Sequence, residues 1–261
     1  MMMGIYKKAL TMTDNNEIQV STEQGIMSIT FNRPDKKNAL TNAMYKSIND
    51  ALRQAETDEQ IRVVLFSGNG DCFTAGNDIK DFLNNEISAN GSEVGKTVKL
   101  LSAFKKPLVA AVHGNAVGIG TTMLLHCDLV VAAKNAIFAM PFVPLGLCAE
   151  AASSLLLPKM AGHQQAAEIL LLGEAFNVEK ADKLGIINRI VEVKEVKLQA
   201  LALCQKLAAL PVTSLEVTKA LLKSTGDTVE QRILKEFIHF EKLLKSDDAK
   251  KAFKAFLAKA K

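Results

Sequence analysis

The sequence predicts an α/β fold, with strands and helices alternating over residues 17–191 and a helical region over 192–261. Three observations predict it. Apolar runs of strand length recur at Val63-Val64-Leu65-Phe66-Ser67, Leu108-Val109-Ala110-Ala111-Val112 and Leu129 to Ala132. Between the last two, His113 to Gly120 holds three glycines and leads into the helix-competent Thr121 to Cys127. After Val191 the pattern changes to long amphipathic segments at 193–209, 212–224 and 228–244, with a Lys-rich one from Asp247.

In chain order, residues 1–16 hold no periodic pattern and are expected to form a loose tail. Met27, Ile29 and Phe31 alternate with polar residues as on a half-buried strand, and Asn32-Arg33-Pro34 ends it. Beyond the polar turn Asp35-Lys36-Lys37-Asn38, Thr41 or Asn42 can cap a helix with Met44, Ile48, Leu52 and Ala55 on one face. The strand at 63–67 closes at Gly68-Asn69-Gly70, and an irregular loop follows from Asp71 to Ile79. Residues 79–95 read as polar and mobile, with a helix then reaching Phe104. Glu150 stands where a new helix is expected to begin, running to Pro158. Helices at Gln164 to Leu172 and Val178 to Leu184 follow, with a short strand at Ile186 to Val191.

Composition narrows the function classes. The chain has 261 residues, a formal charge of +4, few aromatics and no Trp, so stacking platforms for nucleic acid are not expected. No run approaches ~18 apolar residues, so neither a membrane span nor a secretion signal is read. Cys72, Cys127, Cys148 and Cys204 lack CxxC pairing and are expected as buried, reduced thiols of a cytoplasmic protein.

The glycine turn presents backbone N–H groups at a helix start, a device that suits an anion. A dinucleotide fingerprint would need glycine where Met123 stands, and no Gly-Lys-Ser/Thr of a P-loop is present. On the glycines alone, a turn that packs a helix closely on a sheet is the favoured reading. An oxyanion site needs a second donor from elsewhere in the chain. His113 and His126 lie in apolar contexts as core histidines, and no spacing suits a metal. Asp78 reads as a loop-bracing residue more than as a second acid, and Asp128 as fixing the helix exit. Cys148 has no partner pattern of a nucleophile.

Five linked motifs resemble the crotonase (enoyl-CoA hydratase/isomerase) superfamily: Asn32-Arg33-Pro34 with Asn38-Ala39-Leu40, Phe73-Thr74-Ala75-Gly76-Asn77-Asp78-Ile79, Gly114 to Gly120, Cys127-Asp128, and Ser246-Asp247-Asp248 through Ala255-Phe256. In the last, Lys251 and Ala252 replace the usual Glu-Gly. The resemblance implies a spiral of β-β-α turns, a C-terminal helical trimerisation region, and homo-trimers or hexamers. It also implies an acyl-CoA substrate, with coenzyme A part of that substrate and no separate cofactor. By position, the thioester oxygen would meet the amides of Asn77 and Ile119. The implied substrate-binding set is Lys36, Ala75, Gly76, Asn77, Asp78, Ile79, Gly118, Ile119, Gly120, Phe142 and Leu145. The Lys-rich end, ordinarily a solvated helix face, would be placed to meet CoA phosphates.

The carboxylates separate the reactions of that family. Its hydratases use two glutamates, and those positions here hold Thr122 and Phe142. Instead, Leu145-Gly146-Leu147-Cys148-Ala149-Glu150-Ala151-Ala152-Ser153 resembles the Leu-Gly-x-x-x-Glu-x-x-Ser segment of peroxisomal-type Δ3,Δ2-enoyl-CoA isomerases, whose glutamate is the single base. Position alone leaves Glu150 equally a first-turn residue that complements the helix dipole. Burial among Phe142, Leu145 and Leu147 would raise its pKa, and a helix N-terminus would lower it. Hydration, other crotonase-type acyl-CoA chemistry and a non-catalytic acyl-CoA-binding member are the alternatives.

Overall fold

A computed structural model describes residues 17–85, 88 and 91–259, so the tail expected at 1–16 lies outside the described residues. The chain enters through a hairpin of β1 (Ile18–Glu23) and β2 (Ile26–Phe31), whose Met27, Ile29 and Phe31 turn inward as their alternation requires. Helix α1 (Asn42–Thr57) starts where Thr41 Oγ1 accepts the Met44 N–H at 3.2 Å. Its Met44, Ile48, Leu52 and Ala55 are all buried.

After the fully buried β3 (Val63–Gly68) come α2 (Ile79–Asn84) and α3 (Glu93–Ala103). They correct the expectation that 79–95 is mobile throughout. The reason lies in two caps: Asp78 accepts the Lys80 and Asp81 N–H groups, and Ser92 Oγ accepts that of Gly95. Such caps stabilise a short helix that has little apolar periodicity.

The next strands come in pairs separated by a corner. β4 (Leu108–Val112) is followed by β5 (Asn115–Val117), and the one-turn α4 (Ile119–Thr122) runs on as a 3-10 turn, Met123–His126. β6 (Leu129–Ala133) is followed by β7 (Ile137–Ala139). Helix α5 occupies Ser153–Ala161, so it begins three residues after Glu150 and passes through Pro158, a correction at both ends. Ala151 and Ala152 take positive φ (50° and 57°), which no helical residue does, and this breaks the continuity expected from Glu150 onward. At the other end, Pro158 removes one backbone donor in mid-helix without stopping the chain.

There follow α6 (His163–Ala167) with a π turn at Glu168–Leu172, β8 (Phe176–Asn177), α7 (Val178–Lys183) and β9 (Arg189–Val191). The helical region comprises α8 (Val196–Ala208), α9 (Val212–Lys223), α10 (Val229–Leu244) and α11 (Asp247–Lys259). These helices fall within the four segments that amphipathic spacing predicts.

Two sheets result. The larger has the order β1-β2-β3-β4-β6-β9, antiparallel at β1/β2 and parallel elsewhere; the smaller is β5-β7-β8. In two successive turns the chain lays one strand in the large sheet and the next in the small one, β4 then β5 and β6 then β7, as in a spiral of β-β-α turns. The middle of the large sheet is covered on both faces, which is why β3, β4 and β6 read as continuous apolar runs. Val64, Phe66, Ala110, Val112, Val130 and Ala132 pack with α1 and α3. On the other face Val63, Leu65, Val109, Ala111, Val131 and Ala133 pack with Val196, Ala200, Leu203 and Cys204 of α8. The first helix beyond residue 191 is therefore a layer of this core.

Asp128 ties the sheet to α9: its Oδ2 accepts the Leu108 N–H at 2.7 Å and the Lys219 ammonium at 2.6 Å. Among the described residues, no single helix is long and apolar enough to cross a membrane. Cys72 and Cys204 are buried and Cys127 is half-buried, but Cys148 is exposed, contrary to expectation, because the stretch around the 3-10 turn Val143–Leu145 stands at the surface.

Candidate active site

Three chain segments far apart in sequence meet at the loop 72–78. Asn38 is fully buried and holds the loop from one side: its Nδ2 donates to the Asn69, Cys72 and Phe73 carbonyls, while its Oδ1 accepts the Arg33 N–H at 2.8 Å. From the other side, the Thr74 N–H bonds Asn115 O and the Val117 N–H bonds Thr74 O, each at 3.0 Å. Thr74 is thus bridged to Ala116, and Asn77 to Leu40. Gly76 (φ +88°) permits this: a Cβ there would lie 2.7 Å from Val117 O.

That arrangement aims two amides. In the Leu40–Asn77 bridge the Leu40 N–H meets Gly76 O and the Asp78 N–H meets Leu40 O, so the N–H of Asn77 itself points away from the bridge. Ile119 opens α4 directly after Gly118 (φ 57°, ψ −119°), where the first N–H groups of a helix have no partner within it. Among the described residues neither amide has a protein acceptor. Two such donors held on fixed backbone can stabilise an oxygen that gains negative charge.

Asn77 and Glu150 line one cavity of about 270 Å³, with Phe82, Ser88, Ser92, Val94, Gly95, Val98, Lys99 and Ala151. Glu150 is its one carboxylate among the described residues. Burial raises the Glu150 pKa, and a hydrogen bond from Thr122 to its Oε1 partly offsets that rise. The expected source of the burial needs correction. Leu145 and Leu147 are 59% and 50% exposed, and the apolar side chains that share the cavity with Glu150 are Phe82, Val94, Val98 and Ala151. Since Glu150 precedes α5 by three residues, the helix-dipole reading is also set aside.

The segment that carries Glu150 is tightly tied. His126 Nε2 bonds Ala151 O at 2.8 Å, and Ser153 bonds Glu150 O through both its N–H (2.9 Å) and its hydroxyl (2.7 Å). These bonds hold two consecutive alanines in the left-handed region, a conformation that costs on the order of 1–3 kcal/mol each.

The remaining sequence-derived residues separate into groups. Ala75 donates its N–H to Lys37 O at 2.9 Å, and Gly120 packs against Thr74. Phe142 is buried, yet it does not line the cavity. Lys36, Ile79 and Leu145 are exposed and outside the cavity. Asp78 braces: it pairs with Arg33 Nη1 at 2.7 Å and caps α2, and the Arg33 bond holds its carboxyl below the usual range. His113 sits against Gly70 O at 2.8 Å.

Sequence reasoning missed Tyr45. Its buried phenol donates to Asn77 Oδ1, and burial, followed by the Glu150 charge, raises its pKa well above the ordinary value. It looks from sequence like one more apolar-face residue of α1. Phe82 and Val94 were missed because they lie in the segment read as mobile, and Val98 because it lies in a helix that no motif marks.

A model of the enoyl-CoA hydratase/isomerase family matches residues 21–261. The rat protein named enoyl-CoA delta isomerase 2 is 38% identical over 216 residues, covering 80% of this chain and 55% of that protein. The chain thus spans about half the length of that curated relative. The Escherichia coli K12 protein named 2,3-dehydroadipyl-CoA hydratase is 31% identical over 246 residues, 94% of this chain and 96% of that one. A solved structure from Magnetospirillum magneticum AMB-1, described under enoyl-CoA hydratase/carnithine racemase, is 40% identical with a TM-score of 0.92. It covers 94% of this chain and 97% of its own.

Proposed function

The chain belongs to the enoyl-CoA hydratase/isomerase family, and we propose that within it the protein is a Δ3,Δ2-enoyl-CoA isomerase with Glu150 as its single base. The observation that carries this reading is the cavity in which Glu150 is the one carboxylate among the described residues, beside Asn77. Likeness to enoyl-CoA delta isomerase 2 supports it. Hydration requires a second acid to handle water, and the two positions that supply glutamates in hydratases hold Thr122 and Phe142.

On this reading the reaction runs as one proton shuttle. The thioester oxygen of a 3-enoyl-CoA accepts from the Asn77 and Ile119 amides. The Glu150 carboxylate takes a proton from C2, and the electron pair left behind delocalises onto that oxygen as a dienolate. The same carboxyl then gives a proton to C4, the double bond comes to rest between C2 and C3, and Glu150 ends as a carboxylate. Burial strengthens the base by raising its pKa toward the working pH. Because only the carboxylate accepts the proton, the rate falls as pH drops through that raised pKa.

The oxyanion reading is tested on the turn. Gly118→Val forces a β-branched residue to φ 57°, and Gly120→Val places a Cβ 2.6 Å from Thr74 Cγ2. Either is expected to lower kcat on the order of a hundredfold or more, as loss of an oxyanion donor does. Ile119→Leu, which leaves the backbone alone, stays near wild type. Full turnover by a correctly folded Gly118→Val variant would reduce the glycines to packing residues.

The base reading is tested by Glu150→Gln, which keeps shape and hydrogen bonding but accepts no proton. Acyl-CoA binding, measured by calorimetry, is expected to survive while kcat falls roughly 10²–10⁴-fold. Glu150→Asp retains partial activity. A Gln variant as active as wild type ends the assignment.

We further propose a homo-trimer or hexamer. Leu198, Leu234, Phe237 and Phe240 of α8 and α10 are each more than 60% exposed, apolar area that the described chain leaves uncovered. Light scattering at micromolar concentration should give a multiple of the 28.3 kDa chain mass. A monomeric mass would overturn the assembly.

A further inference from the structure

One contact at the site is used neither by the base nor by the oxyanion amides. Thr122 ends α4 and is fully buried, and its hydroxyl donates to Glu150 Oε1. Its backbone is fixed independently, since the Thr122 N–H bonds Gly118 O at 2.9 Å in the same turn that presents the Ile119 amide. The two Glu150 oxygens are consequently unequal. Oε1 accepts the one proton that a threonine hydroxyl can give, while Oε2 has no protein hydrogen bond among the described residues. Glu150 lines the cavity, and Oε2 is the oxygen that its protein partners leave uncommitted.

We propose that Thr122 is a positioning residue for the base: its hydroxyl anchors the carboxylate by Oε1 and assigns proton transfer between C2 and C4 to Oε2. The proposal rests on the reading of Glu150 as the base. His126 and Ser153 hold the backbone around Glu150, but neither reaches its carboxylate. A glutamate side chain turns about three bonds, and without an anchor its oxygen spends less time within reach of the substrate carbons. The hydroxyl also favours the charged form of the carboxylate, against the burial that disfavours it. The titratable groups on the packed elements are Tyr45 from α1, Lys99 from α3, which lines the same cavity, and His126 from the 3-10 turn. None of the three makes a hydrogen bond to Oε1.

The experiment compares Thr122→Val, which keeps the shape and removes the donor, with Thr122→Ser, which keeps the donor. Both are assayed against wild type for conversion of 3-enoyl-CoA to 2-enoyl-CoA across pH. Thr122→Val is expected to lose roughly tenfold to a hundredfold in kcat, the scale of a hydrogen bond to a charged group, with KM little changed. The acid limb of its kcat/KM profile should move to higher pH, because the carboxylate loses the donor that stabilises it. Thr122→Ser should restore both. Should Thr122→Val fail to fold, as judged by thermal melting, Thr122→Ala is read the same way. An acid limb that stays in place in the donor-free variants overturns the proposal, as does a loss that Ser does not rescue. Where Glu150→Gln is inactive in the same assay, that failure leaves the base reading standing. A fully active Glu150→Gln variant removes both.

Discussion

The close approach of the Gly76 backbone to Val117 is the constraint on which the site depends. Only there can the loop 72–78 pair on one edge with Leu40 and on the other with Ala116. Those pairings determine where the Asn77 amide points. A side chain at residue 76 would meet the Val117 carbonyl and force one of the two backbones to shift. The fold supplies the rest: β4 and β6 lie side by side in the large sheet, and the corners after them feed β5 and β7 into the small one. The glycine turn is thereby held at an edge where two sheets meet.

Charge is handled by burial tempered with single hydrogen bonds. Glu150 is desolvated by apolar walls from α2, α3 and its own loop, which makes it a stronger base than an exposed carboxylate. Thr122 limits that effect. Asp78, one residue from Asn77, is driven the opposite way by Arg33 and by the N–H groups at the start of α2. Two carboxylates near one site thus receive different work from their surroundings, one braced as an anion and one kept proton-seeking. The strained pair Ala151 and Ala152 belongs to the same design, since it turns the chain sharply just after Glu150 and before α5.

Much of the fold was legible because its strands are buried on both faces and its helices on one. Strands at 63–67, 108–112 and 129–132 and the helices beyond 191 need only periodicity to be read. What failed was geometry that no period encodes. Two alanines at positive φ are invisible in a sequence, so Glu150 looked like the first residue of a helix. Asp78 and Ser92 act as caps only because helices follow them, and without those caps the polar segment between them reads as mobile. Exposure of Leu145, Leu147 and Cys148 depends on which way a surface turn faces. Of the candidate site, Asn77, the Gly118-Ile119-Gly120 turn and Glu150 stand in motifs, so sequence could propose them. Tyr45 and Thr122 reach them only through hydrogen bonds that the fold closes across 28 residues of chain or more.

The central claim is that Glu150, the one carboxylate lining the cavity among the described residues, restricts this site to proton transfer between carbons. It is tested most directly by two rates measured on a single purified sample: 3-enoyl-CoA converted to 2-enoyl-CoA, and 2-enoyl-CoA hydrated to the 3-hydroxyacyl-CoA. The account predicts isomerisation much faster than hydration. Hydration as fast as isomerisation would contradict it.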